Sequence, residues 1–284
     1  MTARSPLAKI VVYALLAVLS VLFIMPLAWT ISTSLKPADK TMVLPPEWWP
    51  HPIVWRNYLD AVTYRSKELG YIPMVRYARN TLYLAILSVS GTVISNALIA
   101  YGFARIRWRG RDALFALTLA TMMVPFPVTM VAVFSVFRHL GWIGSFKPLW
   151  VPAWFGSAFN IFLLRQFFLT IPRDLSDAAS IDGCTELQTF WHIILPLSKP
   201  ALAVVGLFHF MYVWNDFLGP LIYLTDERMF TLSLGLQAYQ SQHGGTEWHM
   251  LMAASLIVIT PLIALFFFTQ KTFIQGIALT GLKG

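Results

Sequence analysis

Residues 10–35, IVVYALLAVLSVLFIMPLAWTISTSL, form a run of 26 residues without Asp, Glu, Lys or Arg. A helix needs about 20 apolar residues to cross the hydrocarbon core of a bilayer. The apolar region of a cleaved signal peptide is shorter, at roughly 7–15 residues, and a small-residue cleavage site follows it. The run is longer than that and no such site is evident after it, so it predicts a retained transmembrane helix.

Further apolar segments follow, and together with the first they define six predicted spans. The six are Ile10–Ser32, Asn80–Ala104, Ala113–Phe137, Pro148–Phe168, Pro200–Tyr223 and Met250–Gln270. Strands of a membrane barrel would alternate in polarity and repeat about every ten residues, whereas these segments are continuous and rich in Leu and Ala. The sequence therefore predicts an all-α membrane protein with six transmembrane helices.

The composition supports a membrane location. The 284 residues are 57% hydrophobic and 12% charged, and a soluble domain carries about 25% charged residues. Only Arg165 and Asp216 among the charged residues fall inside the predicted spans, and Arg165 is expected to extend toward the interface. We expect one transmembrane domain over residues 1–284, with core spans at about 80–273 and a long loop at 169–199. The single cysteine, Cys184, excludes an internal disulfide.

Charge distribution bears on orientation and on partners. The net charge of +8 comes from short segments between apolar runs, which is typical of a protein held at a lipid interface and not of one that binds nucleic acid. Lys and Arg are almost equally divided between the two sides. Four arginines nevertheless crowd the short loop after the second span, at positions 105, 107, 109 and 111, which favours a cytoplasmic location for that loop and for both termini.

The loop at 169–199 has strong local signals. Asp174 is expected to cap a helix that Gly183 ends, because glycine is favoured just beyond a helix C-terminus. Thr185 and Gln188 then have the spacing of a capping box that starts a second helix. Three apolar side chains of this second helix would form an exposed patch: Leu187, Phe190 and Trp191. An amphipathic helix resting on lipid and a docking site for another protein both remain open interpretations.

The segment DAASIDGCTELQTFWHIILP, residues 177–196, resembles the signature of permease subunits of ABC importers. That signature is E-A-A, three residues, G, nine residues and I-x-L-P, and the one departure is aspartate for glutamate at its start. Stretches before the loop and the terminal TQKTFIQGIALTGLKG are similar to the carbohydrate-uptake, maltose-type class of these permeases. The residues that match or border the signature are Asp177, Ala178, Ala179, Asp182, Gly183, Ile193, Leu195 and Pro196.

The resemblance implies a type I importer fold whose glycine-broken helix pair docks on a cytoplasmic ATPase subunit. Asp177 would meet a basic group there. The implied partners are ATPase subunits that use ATP and Mg²⁺, a second homologous permease in a heterodimer, an extracytoplasmic binding protein, and the lipid of a bacterial or archaeal inner membrane. This chain itself would bind no cofactor or metal and would not be an enzyme. The implied cargo is a sugar, with glycerol phosphate or a polyol ester as the alternative.

Polar residues inside the spans are candidates for the translocation path. Asp216 is one, because a carboxylate within a span is a functional candidate, although a location near the outer interface would explain it equally. Trp214 and Asn215 beside it would stack on and hydrogen-bond a sugar. Asn96 and Asn160 either contact the cargo or attach helices to one another. Pro125 and Pro127 predict a hinge or a plain kink in the third span.

Two other classes of protein fit less well. A stand-alone secondary transporter often shows internal repeats with broken helices at corresponding positions, and the sequence has no evident repeat. An intramembrane enzyme needs several catalytic groups within its spans, and Asp216 is the only carboxylate predicted there.

Overall fold

The computed structural model of the protein describes residues 6–240 and 245–281. Its α-helices are α1 (Pro6–Ser34), α2 (Arg56–Thr63), α3 (Ser66–Leu69), α4 (Pro73–Ala104), α5 (Arg111–Ala120), α6 (Phe126–His139), α7 (Lys147–Trp150), α8 (Ala158–Thr170), α9 (Asp174–Ile181), α10 (Glu186–Thr189), α11 (Leu195–Leu197), α12 (Lys199–Asn215), α13 (Leu218–Tyr223), α14 (Leu232–Gly235) and α15 (Trp248–Gly281). Short 3₁₀ helices cover Ala38–Lys40, Thr121–Met123, Val151–Phe155, Glu227–Met229 and Leu236–Tyr239, and a π-helical turn covers Phe190–Ile194. Within those ranges extended pairing is limited to an isolated bridge between Gln240 and Thr246, so the predicted all-α class is confirmed.

Three helices are long and apolar enough to cross a membrane on their own. They are Leu7–Ser34, Pro73–Ala104 and Trp248–Gln270, within α1, α4 and α15. Three bent pairs also qualify: Arg111–Met123 with Phe126–His139, Lys147–Thr170 with Asp174–Ile181, and Glu186–Leu197 with Lys199–Asn215. Counting each pair as one span gives up to six crossings, which is the predicted number. Two of the pairs include helices of the loop at 169–199, so their bounds differ from the predicted ones. Lys283 and Gly284 of the terminal motif lie outside the described residues.

The predicted span Ala113–Phe137 is broken at the prolines, where a hinge or a kink was expected, and the chain bends by 101° between α5 and α6. Val124 is extended, with φ −84° and ψ 111°, as steric contact with a following proline favours. Pro125 is also extended and directly precedes α6. Two prolines so close together leave the backbone without the amide hydrogens that would continue α5, and the break is therefore larger than a kink.

The fourth and fifth predicted spans are also interrupted. In the fourth, Gly156 takes φ +83° and Ser157 is extended, so α8 starts only at Ala158. In the fifth, α12 ends at Asn215 and a new short helix begins at Leu218. Arg165 on α8 was expected to extend toward the interface. In the structure its guanidinium carbon lies 4.1 Å from the centre of the Phe115 ring, so the charge has a partner within the chain.

The helices fall into two compact units, of which the first contains the chain up to Val75 together with Leu236–Ile263. Polar contacts organise its loop region. The amide of Asn57 donates to the carbonyls of Ser34 and Lys36 at 2.9 and 2.8 Å, and Tyr239 donates to the carbonyl of Ala61 at 2.6 Å. The last residues of α1, 32–34, are buried in this unit, whereas none of the 18-residue apolar window of the helix is buried within the chain.

The second unit contains Arg76–Gly235 together with the chain from Ala264 onward. Its main core joins the ends of α4, α8 and α12 to the loop at 169–199. The fully or almost fully buried members of this core include Ala100, Tyr101, Ala104, Leu164, Phe168, Phe190, Ile194 and Val205. The loop predicted to carry the function is therefore packed directly against three membrane helices.

Candidate functional site

The candidate site is the docking loop, residues 169–199, whose first helix is α9. This helix begins at Asp174, with Arg173 as the N-terminal flanking residue, and no side chain caps it. The prediction that Asp174 caps the helix is therefore wrong: Asp174 already occupies the first turn. Together with Asp177 it places two negative charges in that turn, where they interact favourably with the helix dipole.

Gly183 ends α9 as predicted. Its φ of +81° lies in the left-handed region that glycine adopts readily. The amide of Cys184 donates to the carbonyl of Ala179 at 2.9 Å, and the amide of Gly183 donates to the carbonyl of Ser180 at 3.1 Å. These two bonds form the Schellman motif, which satisfies the last carbonyls of a helix.

The second helix of the loop begins with the predicted capping box. The amide of Gln188 donates to the Thr185 hydroxyl at 3.3 Å, and the amide of Thr185 donates to the Gln188 side-chain oxygen at 2.8 Å. Helix α10 then passes into the π-helical turn and into α11. Pro196 lies two residues beyond the end of this wider turn, and a proline ring would clash with the carbonyl four residues earlier in a regular α-helix. The I-x-L-P end of the signature thus coincides with a change of helix type.

The two sides of the docking loop differ in exposure. Asp177, Ala178 and Asp182 are exposed, whereas Ala179 is buried. Leu187 and Trp191 are 59% and 53% exposed, so two of the three residues predicted for the apolar patch do face outward. The third prediction is wrong: Phe190 is only 2% exposed. Ile181, at 87% exposed, takes its place in the outward-facing apolar surface.

The inner side of the loop is tied to α4. The Tyr101 hydroxyl donates to the Glu186 carboxylate at 2.6 Å, and its ring centre lies 5.0 Å from that of Phe190. Four residues further on, the Arg105 guanidinium donates to the carbonyl of Ile171. Burial, together with the nearby charge of Arg173, lowers the pKa of Arg105 from its usual value. Sequence reasoning missed Tyr101 and Glu186, and their separation of 85 residues leaves no local signal.

Asp216 lies at the break between α12 and α13. One carboxylate oxygen accepts the amide hydrogen of Gly219 at 3.0 Å, so the side chain satisfies the first turn of α13. Asn215 is exposed, and its side-chain amide donates to the carbonyl of Met211 at 2.8 Å. Trp214 is buried, with its ring centre 5.3 Å from that of Phe210. The three residues are adjacent in sequence but point to different surroundings.

Asn96 and Asn160 meet at Ser157, where α8 begins. The Asn96 side-chain oxygen accepts from the amide of Ser157 at 2.7 Å, and its nitrogen donates to the carbonyl of Thr92 at 2.6 Å. The amide of Asn160 donates to the Ser157 hydroxyl at 2.9 Å. Asn96 thus attaches the start of α8 to α4, whereas the bond of Asn160 stays within the start of α8.

We expect Asn96→Ala to lower the free energy of unfolding by about 1–3 kcal/mol, because the Asn96 side chain is fully buried and its removal leaves the amide of Ser157 without its acceptor. Asn160→Ala is the matched comparison and should cost less, since the Ser157 hydroxyl can rotate to another partner. Denaturant unfolding of the detergent-solubilised protein measures both. Equal stability of Asn96→Ala and the parent protein would contradict this assignment.

The described parts of the chain, 6–240 and 245–281, contain no cluster of His, Cys, Asp and Glu side chains arranged to hold a metal ion. The loop at 169–199 combines an exposed outer side with an inner side attached to α4.

Comparisons with known proteins bear directly on this arrangement. The family described as binding-protein-dependent transport system inner membrane component matches residues 75–278. The arabinooligosaccharides transport system permease protein AraQ of Bacillus subtilis is 38% identical over 205 residues, which are 72% of each chain. The sn-glycerol-3-phosphate transport system permease protein UgpE of Yersinia enterocolitica is 31% identical over 229 residues, covering 80% of this chain and 81% of UgpE.

A solved structure has the same fold. A chain of a bacterial ABC transporter involved in the import of the acidic polysaccharide alginate superimposes with a TM-score of 0.82 at 23% identity. The match covers 95% of this chain and 98% of the other. With the family match over residues 75–278, these findings identify the protein: it belongs to the family of binding-protein-dependent transport system inner membrane components.

Proposed function

We propose that the chain is the membrane-spanning subunit of an ATP-driven sugar importer and that its docking loop receives the motion of an ATPase partner. The observation that carries the proposal is the two-sided loop. Its outer side presents Asp177 and Leu187, and its inner side is anchored by Phe190. A rigid connector with one free face is what a transmitted conformational change requires.

The outer side of α9 suits a groove that contains a basic group. Asp177 and Ala178 lie side by side and are exposed, so a partner backbone can approach beside the carboxylate. Ile181 and Trp191 add exposed apolar surface, which favours burial against protein. A charge-assisted hydrogen bond surrounded by such contacts is directional, and it fixes the orientation of the loop on the ATPase. The partner would hold ATP and Mg²⁺, and this chain would contribute no ligand to either.

The inner side of the loop supports transmission to the membrane helices. The bond from Tyr101 to Glu186 joins the docking loop to the last turn of α4, and Arg105 joins the same helix end to the start of the loop. When two ATPase subunits close, the loops of two permeases would approach one another. Because α4 is attached at two places, its end would follow the loop, and the spans would exchange inward-facing for outward-facing arrangements.

We expect Tyr101→Phe to weaken this transmission, since it removes a hydrogen bond to a carboxylate worth about 1.5–3 kcal/mol. More ATP should be hydrolysed for each cargo molecule imported by the reconstituted complex, with binding to the ATPase unchanged. Tyr83→Phe, also on α4 but half exposed, is the matched control. A transport-to-hydrolysis ratio that is the same in both variants and the parent would contradict a role for Tyr101.

Partners and location follow from the same proposal. A second homologous permease would complete the channel as a heterodimer, and the binding-protein dependence in the family's description supports delivery by an extracytoplasmic binding protein. The docking loop and both termini would lie in the cytoplasm of a bacterial or archaeal cell. Residues 1–284 would act as one transmembrane domain, because two of the three boundaries between its compact units fall inside helices, namely α4 and α15.

The proposed cargo is a sugar, and glycerol phosphate is the second candidate. The name of AraQ supports an oligosaccharide and that of UgpE supports glycerol 3-phosphate. The proposed path includes Asn215 and Asp216, which lie at the helix break after α12. Trp214, Asn96 and Asn160 stay candidates for that path, although their present contacts are with this chain itself.

Reconstitution tests the proposal. The complex of both permeases, the ATPase subunits and the binding protein is placed in liposomes, and uptake of arabinooligosaccharide or glycerol 3-phosphate is measured with and without ATP. We expect uptake only when ATP and the binding protein are both present. Uptake by this chain alone without ATP would show a secondary transporter instead, and preference between the two cargo molecules decides the substrate class.

A further inference from the structure

A basic cavity lies beside the docking loop, between the end of α4 and the start of α5. Its volume is about 350 Å³. That size lies in the range of small-molecule sites. The cavity is lined by Arg107, Trp108, Gly110, Arg111, Asp112, Ala113 and Arg173. Arg173 is the residue directly before α9, so the cavity borders the docking loop itself.

The charges of the cavity do not balance. Arg111 is paired with Asp112 at 2.9 Å, and this pair contributes no net charge. The guanidinium groups of Arg107 and Arg173 make no hydrogen bond or ion pair within residues 6–240 and 245–281. Two unpaired guanidinium groups on one cavity attract an anion, and their planar donor sets match the oxygens of a phosphate.

One wall of the cavity is apolar and fixed. The Trp108 indole nitrogen donates to the carbonyl of Gly102 at 3.1 Å, and its ring centre lies 5.8 Å from that of Phe103. On α5, which starts at the cavity, Leu114 and Leu117 are 49% and 62% exposed. A ligand with a phosphate and a hydrocarbon chain would therefore meet matching surfaces, with the arginines at one end and the leucines along the helix.

We propose that this cavity binds the phosphate group of an anionic phospholipid in the cytoplasmic leaflet, with Arg107 and Arg173 as the phosphate-binding residues. The assignment of the site to the cytoplasmic leaflet rests on the orientation given under the proposed function. Anionic lipid headgroups are bound by basic pockets at the cytoplasmic ends of membrane helices. Soluble phosphate offers the same oxygens but no chain for the exposed leucines of α5.

Binding at this place would act on the docking loop. A phosphate held by Arg107 and Arg173 links the loop after α4 to the residue directly before α9. It would also neutralise the charge of Arg173, which at present adds to burial in lowering the pKa of Arg105. The lipid would thus hold the start of the docking loop against the membrane helices.

The test measures binding of a short-chain phosphatidylglycerol to the purified, assembled importer by native mass spectrometry. Short-chain phosphatidylcholine, which has the same phosphate without net charge, and inorganic phosphate are the comparison probes. We expect Arg107→Gln and Arg173→Gln each to weaken phosphatidylglycerol binding about tenfold, which is the loss of one charged hydrogen-bonding partner. Arg109→Gln is the matched control, because Arg109 is exposed in the same loop but does not line the cavity.

Each other outcome overturns the proposal. Equal weakening in all three variants would show general attraction of lipid to a basic surface. Competition by inorganic phosphate, with no preference for phosphatidylglycerol, would show a soluble anion as the ligand. Thermal unfolding of each variant separates loss of the site from loss of the fold, and Arg107→Lys, which keeps the charge, serves if a glutamine variant is unstable. Binding of ATPase subunits is assayed separately, so a failed docking role and a failed lipid site are distinguished.

Discussion

Gly183→Val is expected to abolish ATP-driven uptake while the protein remains inserted in the membrane. The residue adopts φ +81°, and a β-branched side chain in that conformation costs about 1–3 kcal/mol. A Cβ at this position would meet no atom within 4 Å, so the strain is confined to the backbone of the docking loop. The loop relieves it by giving up the Schellman turn, and the angle between α9 and α10 is lost. Uptake into proteoliposomes should fall by roughly tenfold or more.

Gly183→Asn is the control for this experiment. Asparagine tolerates the left-handed conformation better than other non-glycine residues. Gly183→Asn should therefore keep most of the uptake, although asparagine, like valine, adds a side chain at this position. Expression and membrane insertion should be the same for both variants, because the position is exposed and outside the apolar helices. If valine and asparagine reduce uptake equally, the conformation of Gly183 is not what matters.

Asp177→Lys is expected to separate ATP hydrolysis from uptake. Reversing the charge places a lysine opposite the proposed basic group of the ATPase, and mispairing of a desolvated ion pair costs about 2–5 kcal/mol. Co-purification of the ATPase subunits with the permease should fall steeply, and residual hydrolysis should no longer respond to the binding protein. Asp177→Glu restores the residue usual in the signature and should retain uptake.

The matched control is Asp174→Lys. Asp174 lies in the same first turn of α9 and is also exposed, so the two reversals disturb the helix dipole to the same extent. Only Asp177 is proposed to contact the partner. If both variants lose the ATPase subunits to the same degree, the effect comes from destabilised α9 and the contact assigned to Asp177 is wrong.

Features decided by a few neighbouring residues could be predicted from the sequence. Gly183 and the capping box of Thr185 and Gln188 involve residues within five positions of one another, and each occurs as expected. The long apolar helices are equally local, because hydrophobic length alone decides whether a segment can cross a bilayer. The existence of the docking loop, with its helix, glycine and second helix, therefore needed no tertiary information.

Features that depend on distant residues could not be predicted. Phe190 has the spacing of an exposed apolar residue. It is buried because Tyr101 on α4 lies against its ring. The bend angle at Pro125 could not be predicted either. Two prolines indicate that a helix breaks, whereas the packing of α5 and α6 decides by how much.

The exposure of the apolar part of α1 has a consequence for how the protein is made. The segment Leu7–Ser34 is apolar enough to cross a membrane, and none of its 18-residue apolar window is buried within the chain. A single apolar helix is stable in a bilayer before it associates with others. The first helix can therefore leave the ribosome, enter the lipid and stay there while the remaining helices are still being synthesised. Over this window the side chains find their contacts outside the chain, so substitutions there are expected to be tolerated wherever length and hydrophobicity are kept.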